Sequence, residues 1–308
     1  MRKLLALLSI AAAVVLPTQA FAVKVLVNSW DGSAYVVVRP LYANEKLPNL
    51  KSLGALGQMT SVLPCGDDGD AEVWRCMAGV TKDQHATLLT GKDATVHGVW
   101  SNGVFGLIPQ GLTIYETLRS KVQGIKMAHL AGKCGNVGPE TFGNAARVVN
   151  VFAACRDGKE GNFEPAELAA RAAALIAEWE AAGVKNWFVF VHFGEPDATG
   201  HRDGVNSEEY RTQLRNDDKQ LGVMLESVPP EAEVFVLSDH GFGTFEYPEW
   251  TPSLDGHNSH TPGTFYVRRG ATTPQRKYID QMMAVWLELF KPEFCQRYFC
   301  PPNGFPVE

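Results

Sequence analysis

The stretch Trp187–His201, WFVFVHFGEPDATGH, decides how the rest of the chain is read. Its first half is an apolar, aromatic and β-branched run, short enough for a buried strand. Gly194, Pro196 and Gly200 then break the strand. Asp197 and His201 fall where the chain leaves the sheet, and in open α/β sheets ligands bind beyond the carboxyl ends of the strands. A carboxylate and an imidazole four residues apart at such a point can share one metal ion. The competing reading makes Asp197 a turn cap and His201 a surface residue. Recurrence of the pattern elsewhere in the chain favours the first.

Working outward, Val23–Asn28 reads as a short strand that is apolar on both faces and so central, with Asp31-Gly32 at its end. Asp31 could equally be a turn-former before Gly32. Glu233–Leu237 is another strand, ending in Asp239-His240-Gly241, and His257 and His260 precede a strand at Thr264–Arg268. In AGVTKDQHATLLTG, Thr81, Gln84, His85 and Thr87 fall on a helix that opens after a small-residue turn. Its first turn offers unpaired N–H groups and a positive dipole end, where an anion can rest. An ordinary N-cap is the simpler role for Thr81.

Further elements follow from punctuation and period. Pro48 starts a helix that Gly57 stops, Thr113–Ser120 is a helix, and Ile125–Leu130 is a strand with Lys133 in the loop beyond it. Gly135–Gly161 has no clear period and reads as an insertion. Pro165–Ala182 is an Ala-rich helix with Leu168, Ala172, Leu175 and Trp179 inward. Ser207 caps a long helix to Ser227, with Tyr210 and Leu214 inward and Asp217 and Asp218 on its solvated face. A helix over Pro274–Phe290 and a cysteine-closed tail end the chain.

The 308 residues suffice for one large α/β domain or two small ones, and a net charge of −6 without any Lys/Arg run argues against a nucleic-acid polymer as partner. Arg2-Lys3, the apolar run Leu4–Leu16 and Ala20-Phe21-Ala22 read as a signal peptide over residues 1–22, an N-terminal membrane anchor being the alternative, which leaves 23–308 as a single domain. No later segment is long and apolar enough to span a bilayer, so an exported protein, periplasmic or secreted, is expected. Six cysteines in an exported chain suggest the neighbour pairs Cys65–Cys76, Cys134–Cys155 and Cys295–Cys300. A thiolate metal site is the weaker competitor, since no CxxC pair is present.

These residues carry a family resemblance. The Asp31-Gly32 pair, LPNLKSL at Leu47–Leu53, TKDQHATLLTG, VHGV at Val96–Val99, EPDATGH, SDHG and HTPGTFYV occur in an order that resembles the alkaline phosphatase superfamily, in its type I phosphodiesterase/nucleotide pyrophosphatase branch. The resemblance implies an α/β fold, a mostly parallel central sheet flanked by helices on both faces. It also implies two divalent metal ions, zinc by habit of the family. Asp31, Thr81, Asp239 and His240 would hold one ion; Asp197, His201 and His260, with His257 in reserve, would hold the other. Thr81 would be the nucleophile of a hydrolase acting on small phosphate esters through a phospho-threonine intermediate, with the two metals roughly 4 Å apart clamping the phosphate. Gln84 stands where the branch often has Asn, and Lys82 follows the nucleophile; both are candidate phosphate contacts.

Two alternatives compete with a phosphodiesterase. A phosphomonoesterase needs extra positive charge for its third oxygen, for which Lys82 and Lys133 are candidates. An inactive exported metal- or ligand-binding protein would keep its role after Thr81→Ala. The lack of a C/S-x-P-x-R segment at Thr81–His85 argues against a classical sulfatase. The rim of the pocket is expected at Gly135–Gly161 and Phe242–Asp255, where Phe245, Tyr247 and Trp250 could stack on a ring or pack.

Overall fold

All seven residues of Trp187–Phe193 are buried, as are six of the seven in Lys24–Trp30, which requires strands covered on both faces. The computed structural model describes residues 22–60, 79–156, 162–242, 244–246, 249–251 and 264–290. The expected signal peptide up to residue 21, the pairs Cys65–Cys76 and Cys295–Cys300, Tyr247, His257 and His260 lie outside the described residues, as do the side chains of Phe245 and Trp250.

In chain order the first half comprises β1 (Lys24–Trp30), α1 (Tyr35–Ala43), α2 (Pro48–Leu53), β2 (Gly57–Thr60), α3 (Thr81–Thr90), α4 (Ala94–His97), α5 (Ile114–Lys121), β3 (Lys126–Ala131), α6 (Cys134–Val137), α7 (Pro139–Ala146) and β4 (Val151–Ala153). The second half comprises α8 (Pro165–Ala181), β5 (Trp187–Phe193), α9 (Glu195–Asp203), α10 (Glu208–Leu225), β6 (Glu233–Leu237), β7 (Thr244–Glu246), β8 (Glu249–Thr251), β9 (Thr264–Arg268), β10 (Arg276–Tyr278) and α11 (Met282–Phe290). Eight strands form one sheet in the order β10-β2-β9-β6-β1-β5-β3-β4, while β7 pairs with β8. Within the large sheet β9 alone runs against its neighbours. Alternation along the strands divides the core. Leu26, Trp30, Val189, Val191, Val234 and Val236 meet α1, α2, α8 and α10 on one face. Val25, Val27, Phe188, Phe190 and Phe235 meet α3, α5 and α11 on the other.

Four expectations need correction. Gly54, not Gly57, ends the helix that Pro48 opens, because Gly57 already begins β2, where Gln58 N–H donates to Gln275 O at 2.8 Å. Gly135–Gly161 is not a structureless insertion. It carries α6, α7 and β4, which adds to the sheet beside β3, and Cys134–Cys155 bridges this crossover as expected. The helix over Pro274–Phe290 is shorter: Arg276–Tyr278 pairs with the open edge of β2, and only Met282–Phe290 is α-helical. Asp217 and Asp218 are buried, not solvated. Asp218 accepts from Asn49 N–H at 3.1 Å and Leu50 N–H at 2.7 Å, capping α2 from across the helix interface. The N-terminus of α2 has no cap of its own, so a carboxylate from α10 satisfies its orphan amides.

Candidate active site

The parallel strands β6, β1, β5 and β3 are neighbours, so their carboxyl ends lie along one edge of the sheet. Register then places the chemistry. Trp30 pairs with Phe193, and Asp31 is the next residue. Leu237 pairs with Ser29, and Asp239-His240 follow two residues on. Ala131 pairs with His192, and Lys133 follows. Beyond β5, Asp197 and His201 share one face of α9, with His201 Nε2 3.3 Å from Asp197 Oδ1. Gly32 makes that approach possible. Its φ is +63°, and a Cβ there would lie 2.8 Å from both Cβ and Oδ1 of Asp197.

Thr81 is not an N-cap; it is the first residue of α3, after Val80. Asp83 instead serves the helix start, accepting from Gly79 N–H at 3.1 Å and Val80 N–H at 2.9 Å. Burial pushes its carboxyl up to about 6. The Thr81 hydroxyl is thereby released toward the strand ends. It donates to Asp31 Oδ1 at 3.3 Å and lies 3.3 Å from His240 Nε2. His85, one turn later, donates from Nδ1 to Thr81 O at 2.7 Å and receives Ser29 Oγ at Nε2, 3.0 Å away, which fixes the backbone that carries Thr81.

Asp31, Asp197 and His240 offer ligand atoms that all lie within 4.8 Å of one another. Asp239 Oδ2 is buried without a hydrogen-bond partner, although His85 Nδ1 and His240 Nε2 stand 3.3 and 3.4 Å away. His240 Nδ1 faces the carbonyl of Gly241 at 3.1 Å and must carry the proton there, so Nε2 is the nitrogen turned toward Asp31, Asp239 and Thr81. These donors fit a divalent cation bound by Asp31, Thr81, Asp239 and His240.

The electrostatics favour positive charge at this point. Burial alone would depress His240, but the Asp239, Asp31 and Asp197 carboxylates push it up to about 10. Burial and the Asp31 charge raise Asp239 well above the carboxylate range. Burial would also raise Asp31, yet Lys133 together with His192 and His240 holds it well below its usual value. Lys133 reaches both Asp31 Oδ2, at 2.8 Å, and Asp197 Oδ2. Burial alone would lower its ammonium, but the Asp31 and Asp197 carboxylates outweigh that and raise it.

The sequence-expected residues Asp31, Thr81, Asp197, Asp239 and His240 therefore come together, with His201 at the half-open margin. Lys82 and Gln84 lie beside Thr81 with their donors engaged elsewhere. Lys82 Nζ lies 2.9 Å from the centre of the Phe105 ring and 4.0 Å from Glu140 Oε2, and Gln84 Nε2 donates to Asp83 Oδ2 at 3.0 Å. The placement of Phe105 adds a rim segment that sequence reasoning missed: Asn102 Oδ1 accepts from Lys82 N–H at 3.0 Å, and Val104 and Leu107 are exposed beside it. His192 was also missed as a site residue. Its Nε2 lies 3.1 Å from Asp31 Oδ2, and its one legible signal is to be the only polar residue in WFVFVHF.

The overall fold is that of the alkaline-phosphatase-like α/β proteins. Alkaline phosphatase from the Antarctic bacterium TAB5 matches with a TM-score of 0.57 at 12% identity, over 87% of this chain and 97% of that one. Murine ectonucleotide pyrophosphatase/phosphodiesterase 5, in complex with AMP, matches with a TM-score of 0.58 at 14% identity, over 87% and 95%. Within that class the chain belongs to the type I phosphodiesterase/nucleotide pyrophosphatase family, whose model matches residues 25–255. Human ectonucleotide pyrophosphatase/phosphodiesterase family member 7 is 26% identical over 197 residues, 54% of this chain and 39% of its own length. The rat protein of the same name is 25% identical over 195 residues, 54% and 40% respectively. The chain thus spans about two-fifths of the length of these curated relatives.

Proposed function

We propose that the protein is an exported, metal-dependent hydrolase of small phosphate esters, with a phosphodiester as substrate and Thr81 as nucleophile. The observation that carries this reading is the convergence of Asp31, Asp239, His240 and the Thr81 hydroxyl at one sheet edge. A divalent cation held by Asp31, Thr81, Asp239 and His240 would supply Lewis acidity and favour the ionised form of the hydroxyl. Asp31 holds the hydroxyl in line by accepting its hydrogen bond, and His85 fixes the carbonyl of the same residue. Thr81 Oγ1 gives up its proton and forms a bond to phosphorus as the bond to the leaving group breaks; the departing alkoxide takes up a proton to leave as the alcohol, and water then cleaves the Oγ1–phosphorus bond and returns a proton to Oγ1.

A diester is favoured over a monoester by the fate of the two lysines. A dianionic monoester asks for further positive charge. Lys133 is neutralised by two carboxylates, and Lys82 lies against Phe105. The AMP complex of the murine relative supports a nucleotide-like ester as one candidate substrate. Export is supported by the Cys134–Cys155 bridge, a bond at home in oxidising compartments. The test compares bis-p-nitrophenyl phosphate with p-nitrophenyl phosphate as substrates of the metal-loaded protein. Faster diester turnover, lost roughly a thousandfold or more in Thr81→Ala, is expected. Faster monoester turnover would replace the diester reading, and a fully active Thr81→Ala would end the nucleophile assignment.

A further inference from the structure

Asp31 faces two ways. Its Oδ1 meets Thr81 Oγ1 at 3.3 Å and His240 Nε2 at 3.2 Å. Its Oδ2 meets His192 Nε2 at 3.1 Å and Lys133 Nζ at 2.8 Å. One carboxylate thus borders two places for positive charge. The first is lined by Thr81, Asp239 and His240. The second lies between Asp31 Oδ2 and Asp197 Oδ2, and there the Lys133 ammonium pairs with both acids.

The lysine is built into this position. Its stem runs over Gly194, where an added Cβ would lie 2.7 Å from Cγ, 3.4 Å from Cε and 3.5 Å from Cδ of Lys133. The missing side chain of Gly194 is the slot for the stem. On either side the backbone is tied down. Gly132 N–H donates to His192 O at 2.9 Å, Val137 N–H donates to Lys133 O at 3.0 Å, and Cys134 is bridged to Cys155. The Asp31 and Asp197 side chains are almost fully buried, and that of Lys133 is only 15% exposed.

We propose that Lys133 is the resident cation of the second place, so that this chain takes one divalent ion, at Asp31, Thr81, Asp239 and His240, and keeps an ammonium where the resemblance implies another metal. The inference rests on the proposed reading that the Thr81 place holds a metal. A second divalent ion could reach the Asp31–Asp197 pair only by displacing the ammonium, since like charges repel at contact distance. The chemical consequence is specific. An ammonium donates hydrogen bonds and stabilises negative oxygen, but it has no open coordination position on which water could be ionised.

The experiment counts ions. Full-length protein is equilibrated with Mn²⁺ and dialysed, and metal per chain is measured by elemental analysis alongside the electron paramagnetic resonance spectrum. Wild type is expected to retain one ion with an uncoupled spectrum. Lys133→Met, which keeps the stem and removes the charge, is expected to retain two, magnetically coupled; Lys133→Arg is expected to retain one. Two coupled ions in the wild type overturn the proposal, and that measurement stands even if the Met variant does not fold. One ion in a Lys133→Met variant with native near-ultraviolet circular dichroism also overturns it. No bound ion in the wild type overturns instead the metal reading of the Thr81 place, and the proposal falls with it.

Discussion

Replacing Gly32 by Ala tests how the Asp31 turn and α9 are fitted together. Gly32 has φ +63°, where an L-residue costs about 1–2 kcal/mol. Its new methyl would also stand 2.8 Å from Cβ and Oδ1 of Asp197, a contact that cannot be kept without moving α9. Overpacking of this kind costs about 1–3 kcal/mol, giving a total of roughly 2–5 kcal/mol. Gly98 provides the matched control, with φ +75° and nothing within 4 Å of its hypothetical Cβ. Gly98→Ala should incur the backbone cost alone. Urea unfolding of both variants at one pH, analysed with a common m-value, gives the difference directly. Gly32→Ala is expected to be the less stable by about 1–3 kcal/mol, with metal retention and ester hydrolysis falling in the same variant. Equal destabilisation of the two variants would refute the claim that Asp197 presses on this turn.

Reduction of Cys134–Cys155, which closes a loop with a sequence separation of 21, should lower unfolding stability by about 3 kcal/mol; urea midpoints with and without reductant read this out. Asp218→Ala strands the Asn49 and Leu50 amides and is expected to cost about 2–4 kcal/mol, whereas Asp218→Asn, which retains an acceptor, should cost less. His129 donates from Nε2 to Val137 O at 2.8 Å and accepts Tyr115 OH at Nδ1, also 2.8 Å, so it is held neutral, and burial lowers it to about 4. Its unfolded counterpart titrates near 6.5, so the unfolded chain binds the extra proton as pH falls. The stability His129 contributes is complete above pH ~6.5 and drains away toward pH ~4, by up to about 3 kcal/mol. Unfolding of His129→Gln should show a shallower loss across that window, and an unchanged slope would count against the assignment.

The strands were legible because burial on both faces leaves a continuous apolar run: Trp187–Phe193, Glu233–Leu237 and Thr264–Arg268 are found where their composition puts them. Strand ends could therefore be located, and with them Asp31, Asp197 and Asp239. What escaped were partnerships set by tertiary packing. Asp217 and Asp218 sit at polar positions of an amphipathic helix; Asp218 is turned inward by the arrival of α2, and buried Asp217 accepts from Gln213 of its own helix. Arg276–Tyr278 follows a helix-compatible pattern, but the unfilled edge of β2 recruits it as a strand. Lys133 is one lysine in a loop until β3 and β5 are laid side by side, when its ammonium meets two acids from distant parts of the chain.

Every residue of α3, TKDQHATLLT, is buried, although more than half of its side chains are polar. Such a helix has no solvent to fall back on: Thr81, Asp83, His85 and Thr87 each meet a polar partner outside the helix, and local fraying would strand several at once. The aim of the Thr81 hydroxyl is thus tied to the packing of the whole helix. Substitutions that loosen α3 are therefore expected to disturb the Thr81 geometry and the stability of the fold together.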